Sequence, residues 1–365
     1  MSKVILISQV PLPYSHIGSW TTLYKNYFAS NHKIDFLICK QPEYYFDNVK
    51  YGIVKSTFKL KIEKRVSKNK YVIYLNELKK ILVENSEEKF IIQVIDNHGL
   101  VEPLNNFLIK FNLRKRCYLQ FFYHGFTPFH ENFHGRFFYE AVDEMIVLTN
   151  DSYLAHKNYY TILPCRFSVL HNGIDTNKFF KISESEKQKL KSELGFKAKK
   201  IFVWCSQDRP KKGLNLILDA WKRIYLQHSD CELLVIGAEK KATSEGVHYL
   251  GKIPNDDLPK YFQISDVYLF PVLWHEGFGL SLIEALHCGN YCIASAIGGV
   301  PEVLQYGKLG KLIENPHFIQ SWSDAIEDYL SNNTTLFEVP KNLYSTQSWC
   351  QGMNVIIENA KFNLS

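Results

Sequence analysis

Short apolar runs rich in β-branched and aromatic residues return along this chain at intervals filled by amphipathic, helix-patterned stretches. That alternation restricts the fold more than any other feature. A first series reads Val4–Ile7, Ile34–Cys39, Phe90–Ile95, Tyr118–Phe122, Met145–Leu148 and Phe167–Leu170, with helical patterns at Trp20–Ala29, Tyr71–Val83 and Asp151–Asn158. A second reads Lys200–Cys205, Leu233–Ile236, Val247–Leu250, Val267–Phe270 and Tyr291–Ala294. Strands alternating with helices predict a parallel sheet covered on both faces. Two series within 365 residues predict two such sheets, since a domain takes roughly 150 residues. Between them lies the polar stretch Ser183–Glu193, which opens with the capping-box spacing Ser183-x-x-Glu186. The expected division is a first domain over 1–172, a hinge over 173–198 and a second domain over 199–343. Two doubly wound domains facing a central cleft bind ligands at the carboxyl ends of their strands.

Composition removes several classes. A content of 46% hydrophobic and 22% charged residues is ordinary globular material. The excess of 43 Lys+Arg over 37 Asp+Glu suits a phosphate-bearing ligand or an anionic surface and falls short of a nucleic-acid binder. Two basic runs, Lys55–Lys70 and Arg114–Arg116, read either as solvated faces or as a contact with anionic lipid. Eight cysteines sit mostly inside apolar runs, the pattern of small core residues in a reducing, cytoplasmic compartment. Cys288 and Cys292 are spaced C-x3-C with no second pair nearby, so no metal site is expected. The opening MSKVILISQVPLPYS reads as a first strand, not a signal peptide, and no stretch approaches the roughly 20 apolar residues of a membrane span. A peripheral position at the inner face of a membrane stays open.

The chemistry concentrates in His275–Gly289, directly after the strand Val267–Phe270. A strand, a glycine-bearing turn and a helix start present free backbone N–H groups and a positive dipole end, which suits an anionic or hydroxyl-rich ligand. Gly277 and Gly279 remove side chains where a ligand would approach the backbone. Glu276 in the turn and Glu284 in the helix can each accept hydrogen bonds from vicinal hydroxyls. The bland alternative is a capping box, Ser281-x-x-Glu284, with Glu276 merely favourable near a helix N-terminus.

Glu276-Gly-Phe-Gly-Leu-Ser-Leu-Ile-Glu284-Ala, followed by Cys292-Ile-Ala-Ser-Ala-Ile-Gly-Gly-Val-Pro-Glu302, resembles the E-x7-E signature of retaining glycosyltransferases of family 4, which have the GT-B fold. Three further stretches match in the same order: His171–Asp175 with Phe179, Lys212-Gly213, and Leu233–Gly237 with Val247–Gly251. The resemblance implies two Rossmann-like domains and a terminal helix, 344–365, that crosses back to the first. It implies that Glu284 binds the ribose of a nucleotide-sugar. Glu276, with the backbone of Gly277, Phe278, Gly279 and Leu280, would hold the donor sugar and distal phosphate. Gly18 and Ile253 join the implied donor-binding set. Lys212 matches the lysine that meets the departing diphosphate. The usual arginine is replaced by Gln207, and Arg209 is the candidate substitute. His124, at the end of Tyr118–Phe122, matches a histidine at the reaction centre, and Asn97 and His98 are candidates for the acceptor side.

The implied function is retaining transfer from a nucleotide-sugar, with a UDP-sugar as the expected donor, to a saccharide or lipid-linked saccharide in cell-surface polysaccharide assembly. No cofactor or metal is implied. Two rivals remain: a non-catalytic GT-B partner that binds glycan, and a sugar-nucleotide epimerase. A dinucleotide dehydrogenase is disfavoured because no G-x-G-x-x-G follows Val4–Ile7.

Overall fold

The computed structural model describes residues 2–14, 20–55, 70–128, 132–160, 162–240, 244–331 and 338–364. Gly18 and most of the basic run Lys55–Lys70 lie outside the described residues. The chain divides into two compact units, Met1–His171 with Gln347–Ser365, and Asn172–Thr346.

The first unit runs β1 (Ser2–Ile7), α1 (Trp20–Phe28), β2 (Phe36–Cys39), β3 (Lys50–Ile53), α2 (Val72–Glu84), β4 (Lys89–Ile95), α3 (His98–Lys110), β5 (Cys117–Tyr123), α4 (Asn132–Ala141), β6 (Glu144–Val147), α5 (Asn150–Tyr159) and β7 (Arg166–Val169). Its strands form a parallel sheet in the order β3-β2-β1-β4-β5-β6-β7. The winding direction reverses between β1 and β4.

The second unit runs α6 (Glu184–Glu193), β8 (Lys200–Cys205), α7 (Leu214–Gln227), β9 (Cys231–Ile236), β10 (Val247–Gly251), α8 (Leu258–Ile264), β11 (Val267–Phe270), α9 (Leu280–His287), β12 (Tyr291–Ser295), α10 (Val300–Val303), β13 (Gly310–Ile313) and α11 (Ile319–Ser331). Its sheet, also parallel, has the order β10-β9-β8-β11-β12-β13 and reverses between β8 and β11. Central strands such as β8 are buried on both faces, which is why they read as unbroken apolar runs.

A last helix, α12 (Thr346–Leu364), returns to the first unit, as the resemblance implies. Trp349, Met353, Ile356, Ile357 and Ala360 are spaced to form one helical stripe and join the core with Val4, Leu6, Leu23, Tyr24 and Tyr27. Beneath Met353 runs a buried polar row in which Gln93 donates to Gln120, and Gln120 and Ser168 donate to the carboxylate of Glu144.

The stretch 173–198, expected as a hinge, is built into the second unit. Ile174 forms a parallel bridge with Ser345, and Ser183 caps α6 in a complete capping box with Glu186. The Lys187 ammonium holds the Ser265 carbonyl at 3.0 Å and Asp266 at 2.9 Å. All eight cysteines are free thiols.

Candidate active site

In open parallel sheets the ligand crevice lies at the carboxyl ends of the strands where the winding reverses. In the second unit the loops leaving β8 and β11 diverge at that point, and each carries one of the residues singled out by the sequence. Lys212 ends the short turn Pro210–Lys212 after β8, and the buried indole of Trp204 holds the Lys212 carbonyl at 3.1 Å. Glu276 lies in the loop after β11, and its Oε2 is 2.5 Å from the Lys212 ammonium. Both side chains keep part of their surface in solvent. The two loops are also joined along the backbone, where Leu273 N–H donates to the Lys211 carbonyl at 2.8 Å.

Two glycines permit this convergence. Gly213 adopts φ +69°, and a Cβ there would run into the Pro271 carbonyl. Gly298, at φ +68° in the turn after β12, lies against Glu276 so closely that a Cβ would strike its carbonyl. The next residue seals the junction, since Gly299 N–H donates to that same carbonyl at 2.9 Å. The backbone carrying Glu276 is therefore clamped from both neighbouring loops.

Helix α9 starts at Leu280 with Gly279 as its cap, at φ +86°, and no side chain caps it. The capping-box alternative for Ser281 and Glu284 is thereby excluded. Ser281 instead pairs with the Tyr268 hydroxyl at 2.8 Å, and that hydroxyl donates to the Cys205 carbonyl at 3.1 Å, tying α9 to β8 and β11. The first amides of a helix lack intrahelical acceptors, and here they follow directly on Gly277, Phe278 and Gly279. The Phe278 ring itself is buried, edge-on to Tyr344 at 5.2 Å, so only its backbone remains for a ligand.

Glu284 lies one turn into α9. Burial pushes its carboxyl up to about 8, and the Lys178 ammonium pulls in the opposite direction. Its charge also acts on the Cys205 and Cys288 thiols and on Tyr268, so it stands in a crowded setting of weakly polar groups. Lys178 was not foreseen from the sequence. Its ammonium is also 2.8 Å from the exposed Asp256.

Other expectations fall out unevenly. Arg209 and Gln207 are both exposed on the turn before Lys212, with the Arg209 N–H donating to the Gln207 carbonyl. Ile253 follows the edge strand β10 and is half-buried. The His171–Asp175 motif forms a seam, in which Ile174 N–H donates to the Tyr344 carbonyl and Thr346 N–H to the Ile174 carbonyl.

In the first unit, His124 follows β5, and Asp96 directly follows β4, the neighbouring strand of the sheet. The Asp96 carboxylate accepts from the His124 backbone N–H at 2.8 Å and lies 2.9 Å from its Nδ1. Trp20 stacks on the imidazole, with ring centroids 6.2 Å apart. Asn97 is buried with its amide nitrogen unpartnered, and His98 is exposed, stacked on Phe138 at 4.8 Å. The Arg114 and Arg116 guanidiniums are engaged by protein acceptors: Arg114 by Asn105, Asp143 and the Cys117 carbonyl, Arg116 by the carbonyls of Asn85 and Glu88. Lys115 alone of that run is exposed. Among the described residues no cluster of His, Cys, Asp and Glu could hold a metal, and no helix is long and apolar enough to cross a membrane.

Residues 186–346 match the family described as glycosyl transferases group 1. The D-inositol 3-phosphate glycosyltransferase of Mycobacterium ulcerans is 25% identical over 211 residues, 53% of this chain and 44% of that protein. The N-acetyl-alpha-D-glucosaminyl L-malate synthase of Bacillus anthracis is 29% identical over 188 residues, 48% of each. The matches thus span about half the length of these curated relatives or less. The crystal structure of Anabaena Alr3699/HepE in complex with UDP has the same fold, with a TM-score of 0.70 and 16% identity over 98% of this chain and 99% of that one. The chain thus has two Rossmann-like units of GT-B type, and its residues 186–346 match the group 1 glycosyltransferases.

Proposed function

We propose that this protein is a retaining glycosyltransferase of family 4 that moves a sugar from a UDP-sugar to a saccharide or lipid-linked saccharide acceptor in cell-surface polysaccharide assembly. The observation that carries the reading is the Lys212–Glu276 pair at the reversal point of the second sheet, with Glu284 eight residues further on. The fold neighbour bound to UDP supports the choice of nucleotide. When the donor binds, Lys212 turns to the diphosphate and Glu276 accepts from the sugar hydroxyls, while Glu284 accepts from the ribose diol. Departure of the nucleoside diphosphate develops negative charge, which Lys212, Arg209 and the amides of Gly279 and Leu280 meet. The bond from the anomeric carbon to the diphosphate oxygen breaks, and the bond to the acceptor oxygen forms on the same face. The acceptor's proton leaves with the departing phosphate. In the first unit, His124, Asn97 and His98 are the residues assigned to the acceptor in this reading. In this reading contact with the membrane is peripheral.

The test is a panel of UDP- and GDP-sugars assayed for nucleotide release, with the Glu276→Gln and Glu284→Gln variants measured separately. Each variant is expected to lose about a hundredfold or more in kcat/KM, since each removes a charge-assisted contact to the donor. Unchanged turnover in both would remove the assignment. Calorimetry with UDP separates this reading from a non-catalytic partner, which would bind no nucleotide.

A further inference from the structure

The environment of His124 is more specific than a histidine at a strand end requires. Asp96 takes φ +47°, a left-handed conformation that few side chains other than Asp and Asn tolerate, and the position places both carboxylate oxygens on one target. Oδ1 receives the His124 backbone N–H and Oδ2 faces Nδ1. The Asp96 backbone is anchored in turn, its N–H donating to the Phe122 carbonyl at 3.0 Å. Trp20 covers one imidazole face. Ring position, ring plane and the occupant of Nδ1 are all set before any ligand arrives.

A carboxylate only accepts, so the nitrogen facing it carries the hydrogen. We propose that Asp96 is the positioning residue of His124, holding the Nδ1–H tautomer so that Nε2 is an open acceptor for a substrate hydroxyl. The neutral histidine then receives a hydrogen bond from a sugar or acceptor hydroxyl, where a free histidine would present either nitrogen in either role. This fixes which hydroxyl orientation the site takes: one whose hydrogen points at Nε2. It builds on the glycosyl-transfer reading for the substrate, while the tautomer itself stands apart from that reading.

Asp96→Asn is the informative change, because asparagine also tolerates the left-handed backbone. Its amide oxygen must stay on the His124 N–H, which only donates, so its NH2 group falls opposite Nδ1 and drives the hydrogen to Nε2. The full chain, labelled with 15N-histidine and assigned by subtraction of a His124→Gln spectrum, is expected to show His124 as Nδ1–H in the natural protein and Nε2–H in Asp96→Asn. With the UDP-sugar that the donor panel identifies, Asp96→Asn should lower kcat about a hundredfold and leave the donor KM within about twofold. Asp96→Asn/His124→Gln should be no slower than His124→Gln alone. An Nε2–H tautomer in the natural protein, an unmoved tautomer in Asp96→Asn, or a double variant slower than the single overturns the proposal. None of these results bears on Glu276 or Glu284, so the function can stand while this inference falls.

Discussion

At the scale of single residues, the acid at position 284 offers the sharpest pH signature. Its carboxyl is raised by burial from the ordinary carboxylate range to about 8, so the folded chain holds a proton between about 4.5 and 8 that the unfolded chain has released. The sign follows: this group's favourable contribution is complete below about 4.5 and is lost as pH climbs through 8 in the ligand-free protein. Glu284→Gln keeps the neutral form at every pH, and is therefore expected to exceed the natural protein in Tm at pH 8.5. A gain of ~1 kcal/mol would read as ~2–4 °C, shrinking toward zero at pH 5. Melting curves across that window check it, and a constant offset at all pH values would refute it. In the proposed reading donor binding acts in the opposite sense, because ribose hydroxyls are best met by an ionised carboxylate. Titrating UDP at pH 7 in buffers of different ionisation enthalpy should show a proton released on binding by the natural protein, and none by Glu284→Gln.

At the scale of elements, the site depends on three loops locking together behind the strands. Gly298→Ala puts a left-handed alanine against the Glu276 carbonyl, so the turn carrying Glu276 must shift. Gly195 is the natural control: it too has positive φ, at +81°, yet nothing lies within 4 Å of its missing Cβ. Gly195→Ala should cost only conformational strain, ~1 kcal/mol, with activity retained, whereas Gly298→Ala should lower both Tm and kcat/KM. Equal losses in the two would show that the Glu276 clamp plays no part. The candidate site was legible in the sequence because two of its acids, Glu276 and Glu284, sit on one continuous motif and because glycines mark backbone contacts. The pairing of Asp96 with His124 escaped since it joins two strands that only the sheet brings together. The same limit applied to the strands: β4 and β8 were legible from their unbroken apolar runs, but the edge strands β3, Lys-Tyr-Gly-Ile, and β13, Gly-Lys-Leu-Ile, are short, half-exposed and lack that pattern. Their pairing partners, β2 and β12, are what make them strands.

At the scale of the whole molecule, the chain leaves the first unit after His171 and comes back to it only at Gln347, so that unit's core is completed by its last helix. Trp349 is 3% exposed and meets Tyr24 and Tyr27 edge-on at 5.3 and 5.7 Å, inside the same core as the β1 residues Val4 and Leu6. Lys33–Glu358 adds an ion pair at the rim, whose exposure makes it a minor contributor. Removing the indole deletes a large buried side chain and its aromatic pairs, a loss of about 3–5 kcal/mol. That loss should fall on one unit, because the second keeps its own core around Phe202, Trp204, Trp221 and Trp322. In Trp349→Ala, hydrogen exchange should therefore accelerate in β1, β4 and α1 while the amides of β8, β9 and β11 keep their protection. Calorimetric UDP binding, carried by residues of the second unit in the proposed reading, should survive the substitution at temperatures where those amides remain protected. Equal loss of protection in both sheets would mean that the two cores unfold as one, and that α12 serves the whole chain and not the first unit alone.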